Sequence, residues 1–125
     1  MTVRTTTLDM REALLRDALA IMREEYAQPL ELDDVARRVL TSRRQLQRVF
    51  TEVHGSTFRT TLRRIRMERA ADMLLGDLPV SDIARLVGYT QPAQFAKAFR
   101  RTFSMSPTEF RAGQAAIGSS MRGAA

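Results

Sequence analysis

Leu30-Glu31-Leu32-Asp33-Asp34-Val35-Ala36-Arg37-Arg38-Val39 and Leu78-Pro79-Val80-Ser81-Asp82-Ile83-Ala84-Arg85-Leu86-Val87 are two versions of one segment, 48 residues apart and identical at five of ten positions. After one inserted residue the match resumes at an offset of 49, pairing Gln45 with Gln94, Leu46 with Phe95, Arg48 with Lys97 and Phe50 with Phe99. A chain that repeats itself at such a period carries one supersecondary unit twice. Each copy reads as a short helix, a turn and a second helix with apolar positions at i, i+3 and i+4, which is the helix-turn-helix pattern.

Working outward, every segment reads as helix and none shows the period-2 alternation of a strand. A first helix is expected from Asp9, where Asp9 and Glu12 have capping-box spacing, to about Tyr26, before Pro29. The second covers about 33–39 and the third about 42–53, ended by Gly55 as a left-handed cap. The fourth and longest, about 57–75, has Phe58, Leu62, Ile65, Met73 and Leu74 as its apolar stripe and Gly76 at its end. The fifth starts with Pro79 at its first helical position and runs to about Val87. The sixth spans about 92–103, and Pro107 opens a last turn or short helix through Phe110. The fold class is all-α, with two helix-turn-helix subdomains joined by a long linker helix, a homeodomain-like tandem. The expected divisions are an N-terminal segment 1–9, a first subdomain 10–56, the linker helix 57–75, a second subdomain 76–111 and a flexible tail 112–125, rich in Gly, Ser and Ala.

The 125 residues, 44% apolar and 27% charged, fit one small domain or two very small ones and exclude disorder and large-sheet enzymes. No cysteine is present and His54 is the single histidine, so thiolate chemistry is absent and a zinc site has too few ligands. No P-loop and no nucleophile with a partner base can be found, so no enzyme activity, no metal and no cofactor is expected. No apolar run approaches a membrane span and the first seven residues are too polar for a signal sequence, which places the protein in the cytoplasm and off the membrane.

A net charge of +6 and a pI near 11.1 call for a polyanionic partner. The charge is blocked rather than spread: residues 35–69 hold ten basic and two acidic side chains and residues 85–111 five and one, whereas residues 1–34 hold four and eight. Nineteen of the twenty cationic side chains are arginine, whose planar fork suits phosphate and guanine. At 100° per residue, Leu46, Val49, Phe50 and Val53 set the apolar side of the third helix, opposite Arg44, Arg48 and Thr51, with Gln47 beside them. In the sixth helix Phe95, Ala98, Phe99 and Phe103 oppose Ala93, Lys97 and Arg101, flanked by Gln94 and Arg100. Both outer faces are expected to carry donors and no acid, as base-edge readout in a major groove needs. Any amphipathic helix puts charge opposite its core. The functional reading rests on finding this twice, each time on the second helix of a repeated unit inside a basic block. The phenylalanines sit at core spacing, the seven methionines fill gaps, and His54 reads as a helix C-terminal residue.

At these residues the chain resembles the DNA-binding domain of the AraC/XylS family of bacterial transcription regulators. Ala36, Val39, Ser42, Leu46, Arg48 and Phe50, followed by Gly55, are similar to the family's first motif. Ile83, Ala84, Val87, Gly88, Tyr89, Phe95, Phe99, Phe103, Ser106, Pro107, Phe110 and Arg111 are similar to its more distinctive second one. The resemblance covers about residues 10–111. It implies that helices three and six enter two neighbouring major-groove segments about 34 Å apart. By position it places base contacts on Arg43, Arg44, Gln47 and Arg48, and on Pro92, Ala93, Gln94 and Lys97. It places phosphate contacts on Ser42, Thr90, Gln91, Arg100 and Arg101. Two residues depart from the pattern: Leu40 stands where Gly88 stands in the second unit, and Ser104 replaces the glycine common before Ser-Pro, so the first turn and the cap of helix six are expected to differ in geometry from the family's. Helix six is poorer in specific donors, so the first unit is expected to carry more of the base specificity.

The function expected is a sequence-specific transcription regulator bound as a monomer to double-stranded promoter DNA, with RNA polymerase as a second partner and no small-molecule site. A short family member controlled by abundance and a fragment of a longer regulator are both compatible with this length. The competing reading is a nonspecific cationic helical protein that binds nucleic acid or a membrane surface. It is disfavoured by the absence of tryptophan and by the core-like placing of the phenylalanines.

Overall fold

The computed structural model describes the backbone of residues 2–123 and the side chains of residues 7–117, and all regular structure among them is helical. The helices are α1 (Thr2–Glu25), α2 (Leu32–Arg38), α3 (Arg43–Val49), α4 (Phe58–Leu74), α5 (Val80–Leu86), α6 (Pro92–Phe103) and α7 (Pro107–Gly123). A π-helical segment, Phe50–His54, continues α3 without a break. The chain divides within α4 into two compact units, Met1–Ile65 and Arg66–Ala125.

The first unit closes on Ala18 and Met22 of α1, Val35 and Ala36 of α2, Leu46 and Phe50 after it, and Phe58 and Leu62 of α4. The Phe50 ring is fully buried and meets Phe58 edge-on at 5.7 Å between centroids. In the second unit the buried set is Met67, Ala70, Leu74, Ile83, Ala84, Val87, Phe95, Ala98 and Phe99. Phe95, Phe99, Phe103 and Phe110 form a chain of ring contacts 4.8–6.0 Å apart, with Tyr89 edge-on to Phe95 at 5.8 Å. Phe50 and Phe99, equivalent in the repeat, are both at 0% exposure. The apolar stripe expected on α4 is buried or half-buried throughout, and Thr61, Met67 and Ala70 join it. Thr61 is accommodated because its hydroxyl donates to the Thr57 carbonyl at 2.8 Å.

Three helix ends differ from expectation. The first helix begins at Thr2 rather than Asp9, because the segment before Asp9 contains no Gly or Pro to stop it. Asp-x-x-Glu is a cap only where the chain ahead of it is non-helical, and inside a helix it is an i,i+3 pair on one face. Pro79 is the N-cap of α5, not its first helical residue, and its carbonyl accepts from Ile83 at 3.1 Å. α7 runs to Gly123 instead of ending near Phe110. Its start is a capping box in which Ser106 Oγ accepts the Glu109 N–H at 3.1 Å and Glu109 Oε1 accepts the Ser106 N–H at 3.2 Å. From there Ala112, Ala115 and Ala116 sustain the helix through Gly113.

Contrary to the expectation for Leu40, the turn between the two helices of each unit is the same in both. After α2, Leu40 N–H donates to the Arg37 carbonyl (3.2 Å) and Thr41 N–H to the Ala36 carbonyl (2.9 Å); after α5, Gly88 donates to Arg85 (3.0 Å) and Tyr89 to Ala84 (2.9 Å). This pairing is the Schellman motif, which requires a left-handed residue. Leu40 at φ 61° and Gly88 at φ 98° supply it. Ser104, ending α6, is left-handed too at φ 62°. Leu40 therefore has its Cβ in a crowded backbone conformation worth about 1–2 kcal/mol, and at 92% exposure its side chain recovers almost nothing by burial. Leu40→Gly is expected to stabilise the protein by about 0.5–1 kcal/mol, the relief exceeding glycine's added freedom in the unfolded chain. Urea unfolding would check this, and a fall in the midpoint would show that the leucine makes a stabilising contact.

Candidate nucleic-acid interface

Ser42 starts α3 as its N-cap: its backbone is extended and its hydroxyl accepts the Gln45 N–H at 3.1 Å. That fixes the helix register, so Leu46, Val49 and Phe50 go to the core while Arg43, Arg44, Gln47 and Arg48 are exposed together on the other side. α6 is built the same way. Gln91 is an N-cap without a side-chain bond, Pro92 occupies the first turn, and Phe95, Ala98 and Phe99 are buried. Pro92, Ala93, Gln94, Lys97, Arg100 and Arg101 are exposed, as are Thr90 and Gln91 just before them. Every residue expected to touch DNA is thus solvent-accessible, and each helix brings its own set to one face.

The expectation that these faces carry no acid is corrected by the structure. Glu52, one turn beyond Arg48, accepts from Arg48 Nε at 3.4 Å and also from Arg11 of α1. Asp33 of α2 lies 3.5 Å from Arg43, and Glu109 of α7 lies 3.3 Å from Arg100. The hydrogen bond from Arg11 holds the Glu52 carboxyl below the usual carboxylate range, and that from Ser106 does the same for Glu109. Thr51 turns its hydroxyl onto the Gln47 and Arg48 carbonyls, both at 3.2 Å, so it is tied to its own helix. Arg11, Asp33 and Glu109 were not legible as neighbours of these faces, because they come from other helices and spacing along one helix does not reveal them. Glu52 differs: its i+4 position after Arg48 marks it as a pair.

Among the described residues there is no group of three His, Cys, Asp or Glu side chains placed to hold a metal ion, and no helix is long and apolar enough to cross a membrane. His54 is exposed, its ring edge-on to Phe50 at 5.9 Å, which is packing at a helix end.

A family profile described as "Helix-turn-helix domain" matches residues 35–113. The regulatory protein SoxS of Escherichia coli K12 is 33% identical over 101 residues, which are 80% of this chain and 94% of SoxS. This chain belongs to the AraC/XylS family. This AraC/XylS protein is also similar to the HTH-type transcriptional regulator GlxA of Rhizobium meliloti, at 36% identity over 72% of the chain but only 28% of GlxA. Among solved structures, an AraC-type regulator from Chromobacterium violaceum matches with a TM-score of 0.79 at 30% identity, covering 83% of this chain and 94% of that one. The DNA-binding domain of AdpA, solved in complex with a target DNA, matches with a TM-score of 0.75 at 27% identity over the same shares. The all-helical tandem and the role of a DNA-binding transcription regulator follow for the AraC/XylS chain described here, and the family is one of regulators, not of enzymes.

Proposed function

We propose that α3 and α6 are the reading helices of this regulator, each entering a major-groove segment of the same promoter duplex. Arg43, Arg44, Gln47 and Arg48 of α3 contact base edges, as do Ala93, Gln94 and Lys97 of α6 beside Pro92. Ser42, Thr90, Gln91, Arg100 and Arg101 hold the backbone phosphates. The observation that carries this is the pairing of two equivalent helices. Each buries an equivalent phenylalanine and leaves the opposite side, Gln47 or Gln94 with its basic neighbours, in solvent. Glutamine can take adenine N6 and N7, and arginine or lysine guanine O6 and N7. α3 offers four such side chains and α6 two, so the first unit carries more of the specificity. Monomeric binding, contact with RNA polymerase and a cytoplasmic location complete the reading and rest on the family.

Selection of bound duplexes from a random library at about 150 mM salt tests it. One asymmetric motif with two conserved blocks about 10 base pairs apart, bound at least about a thousandfold better than scrambled DNA, is expected. On that site Gln47→Ala should cost about 1–3 kcal/mol of discrimination and relax one position. Arg100→Ala should weaken binding to all sequences and lower the salt slope by about one. Absence of any motif would leave a nonspecific cationic binder.

A further inference from the structure

An open cleft of about 400 Å³ lies beside the reading face of the first unit, lined by Thr7 and Arg11 of α1 and by Ser42, Arg44, Gln45 and Arg48 at α3. Every lining side chain can donate a hydrogen bond, three are arginines, and none is acidic. Arg11 is held there by Glu52, which also takes Arg48 at 3.4 Å, so one carboxylate ties a guanidinium from α1 to one from the reading helix. Glu52 is itself outside the lining. The cleft is open and far larger than one phosphate, which suits a run of nucleic-acid backbone with its sugars rather than a free anion. It is continuous with the reading face through Ser42, Arg44 and Arg48.

We infer that the α1–α3 cleft seats the sugar-phosphate backbone of the bound duplex, with Arg11 as a phosphate ligand and Glu52 as the positioning residue that sets Arg11 and Arg48. The inference rests on the DNA-binding reading and adds α1 to the interface. Glu52 also offsets part of the charge of the two arginines, so the duplex meets a weaker field here than the arginines alone would give. The phosphate contact is independent of sequence, so a mixed-sequence duplex is a sufficient probe.

The experiment breaks the same ion pair from its two ends and measures affinity for that duplex between about 50 and 200 mM salt. Arg11→Gln is expected to weaken binding on the order of three- to tenfold and to make the salt slope shallower by about one. Glu52→Gln is expected to do the reverse, with tighter mixed-sequence binding, a steeper slope and a lower ratio of specific to nonspecific affinity. Arg23→Gln, on the exposed surface of α1 outside the cleft, should leave the slope nearly unchanged. If both ends of the pair weaken binding alike, the pair only braces the fold, and the inference fails. It also fails if Arg11→Gln has no effect, or if Arg23→Gln matches it. In either case the roles of Gln47 and Arg100 stand. A wild-type chain that binds no duplex overturns the functional reading as well. Urea unfolding of each variant separates lost folding from lost contact.

Discussion

Phe99→Ala should destabilise the second unit by about 3–5 kcal/mol, enough to unfold much of it at ordinary temperature. The ring is fully buried and touches Phe95 at 6.0 Å, Phe103 at 4.8 Å and Phe110 at 5.6 Å between centroids. Truncation loses the transfer free energy of the ring and leaves a cavity that three stiff neighbours cannot fill, and both terms count against the fold. Of these contacts the one to Phe110 is edge-on, and such aromatic pairs add about 0.5–1.5 kcal/mol beyond area. Phe103, only half-buried, should lose distinctly less as alanine. Denaturant unfolding followed by helical circular dichroism would measure both variants. A loss below about 1 kcal/mol for Phe99→Ala would show that these rings are not the centre of the unit. Because the chain has two compact units, the variant is also expected to separate one unfolding transition into two.

Arg111→Met should cost about 1.5–3 kcal/mol, the range of hydrogen bonds made by a charged donor. Arg111 Nε donates to the Leu74 carbonyl at 3.1 Å and a terminal nitrogen to the Leu78 carbonyl at 2.6 Å. Leu74 is the last residue of α4, where carbonyls have no partner within the helix and a cation is favoured by the helix dipole. One side chain of α7 thereby closes the end of α4 and fixes the segment leading into α5. Methionine keeps the apolar stem and removes both donors, so the loss isolates the guanidinium. Lysine keeps the charge, but a single ammonium lacks the fork that spans two carbonyls, and Arg111→Lys should fall between. Thermal or urea unfolding gives the order, and a methionine variant as stable as the parent would show the contact to be idle.

The repeat at 30–39 and 78–87 was sufficient to place two helix-turn-helix units, because burial follows helical periodicity and the apolar positions of α3, α4 and α6 recur at that period. The exposed sets on α3 and α6 were legible for the same reason: a face opposite a buried stripe must be in solvent. The left-handed turn at Leu40 did not follow: a leucine where Gly88 stands argued for a different first turn, yet both units keep the same backbone there. The start of α1 and the length of α7 did not follow. Their local signals, Asp-x-x-Glu and scattered glycine, have more than one meaning without knowledge of what the neighbouring residues do.

The sequence by itself therefore determined the helical tandem, the two cores and the sides of α3 and α6 that face outward, all of them consequences of short-range periodicity. Only the tertiary structure decided which charges meet. Arg11 reaches Glu52 across 41 positions and Arg111 reaches Leu74 across 37, pairings that no spacing rule encodes. The physical reason is range: periodicity is written by residues a few positions apart, whereas an ion pair or a helix-end contact is made by whichever side chains packing brings within about 3 Å.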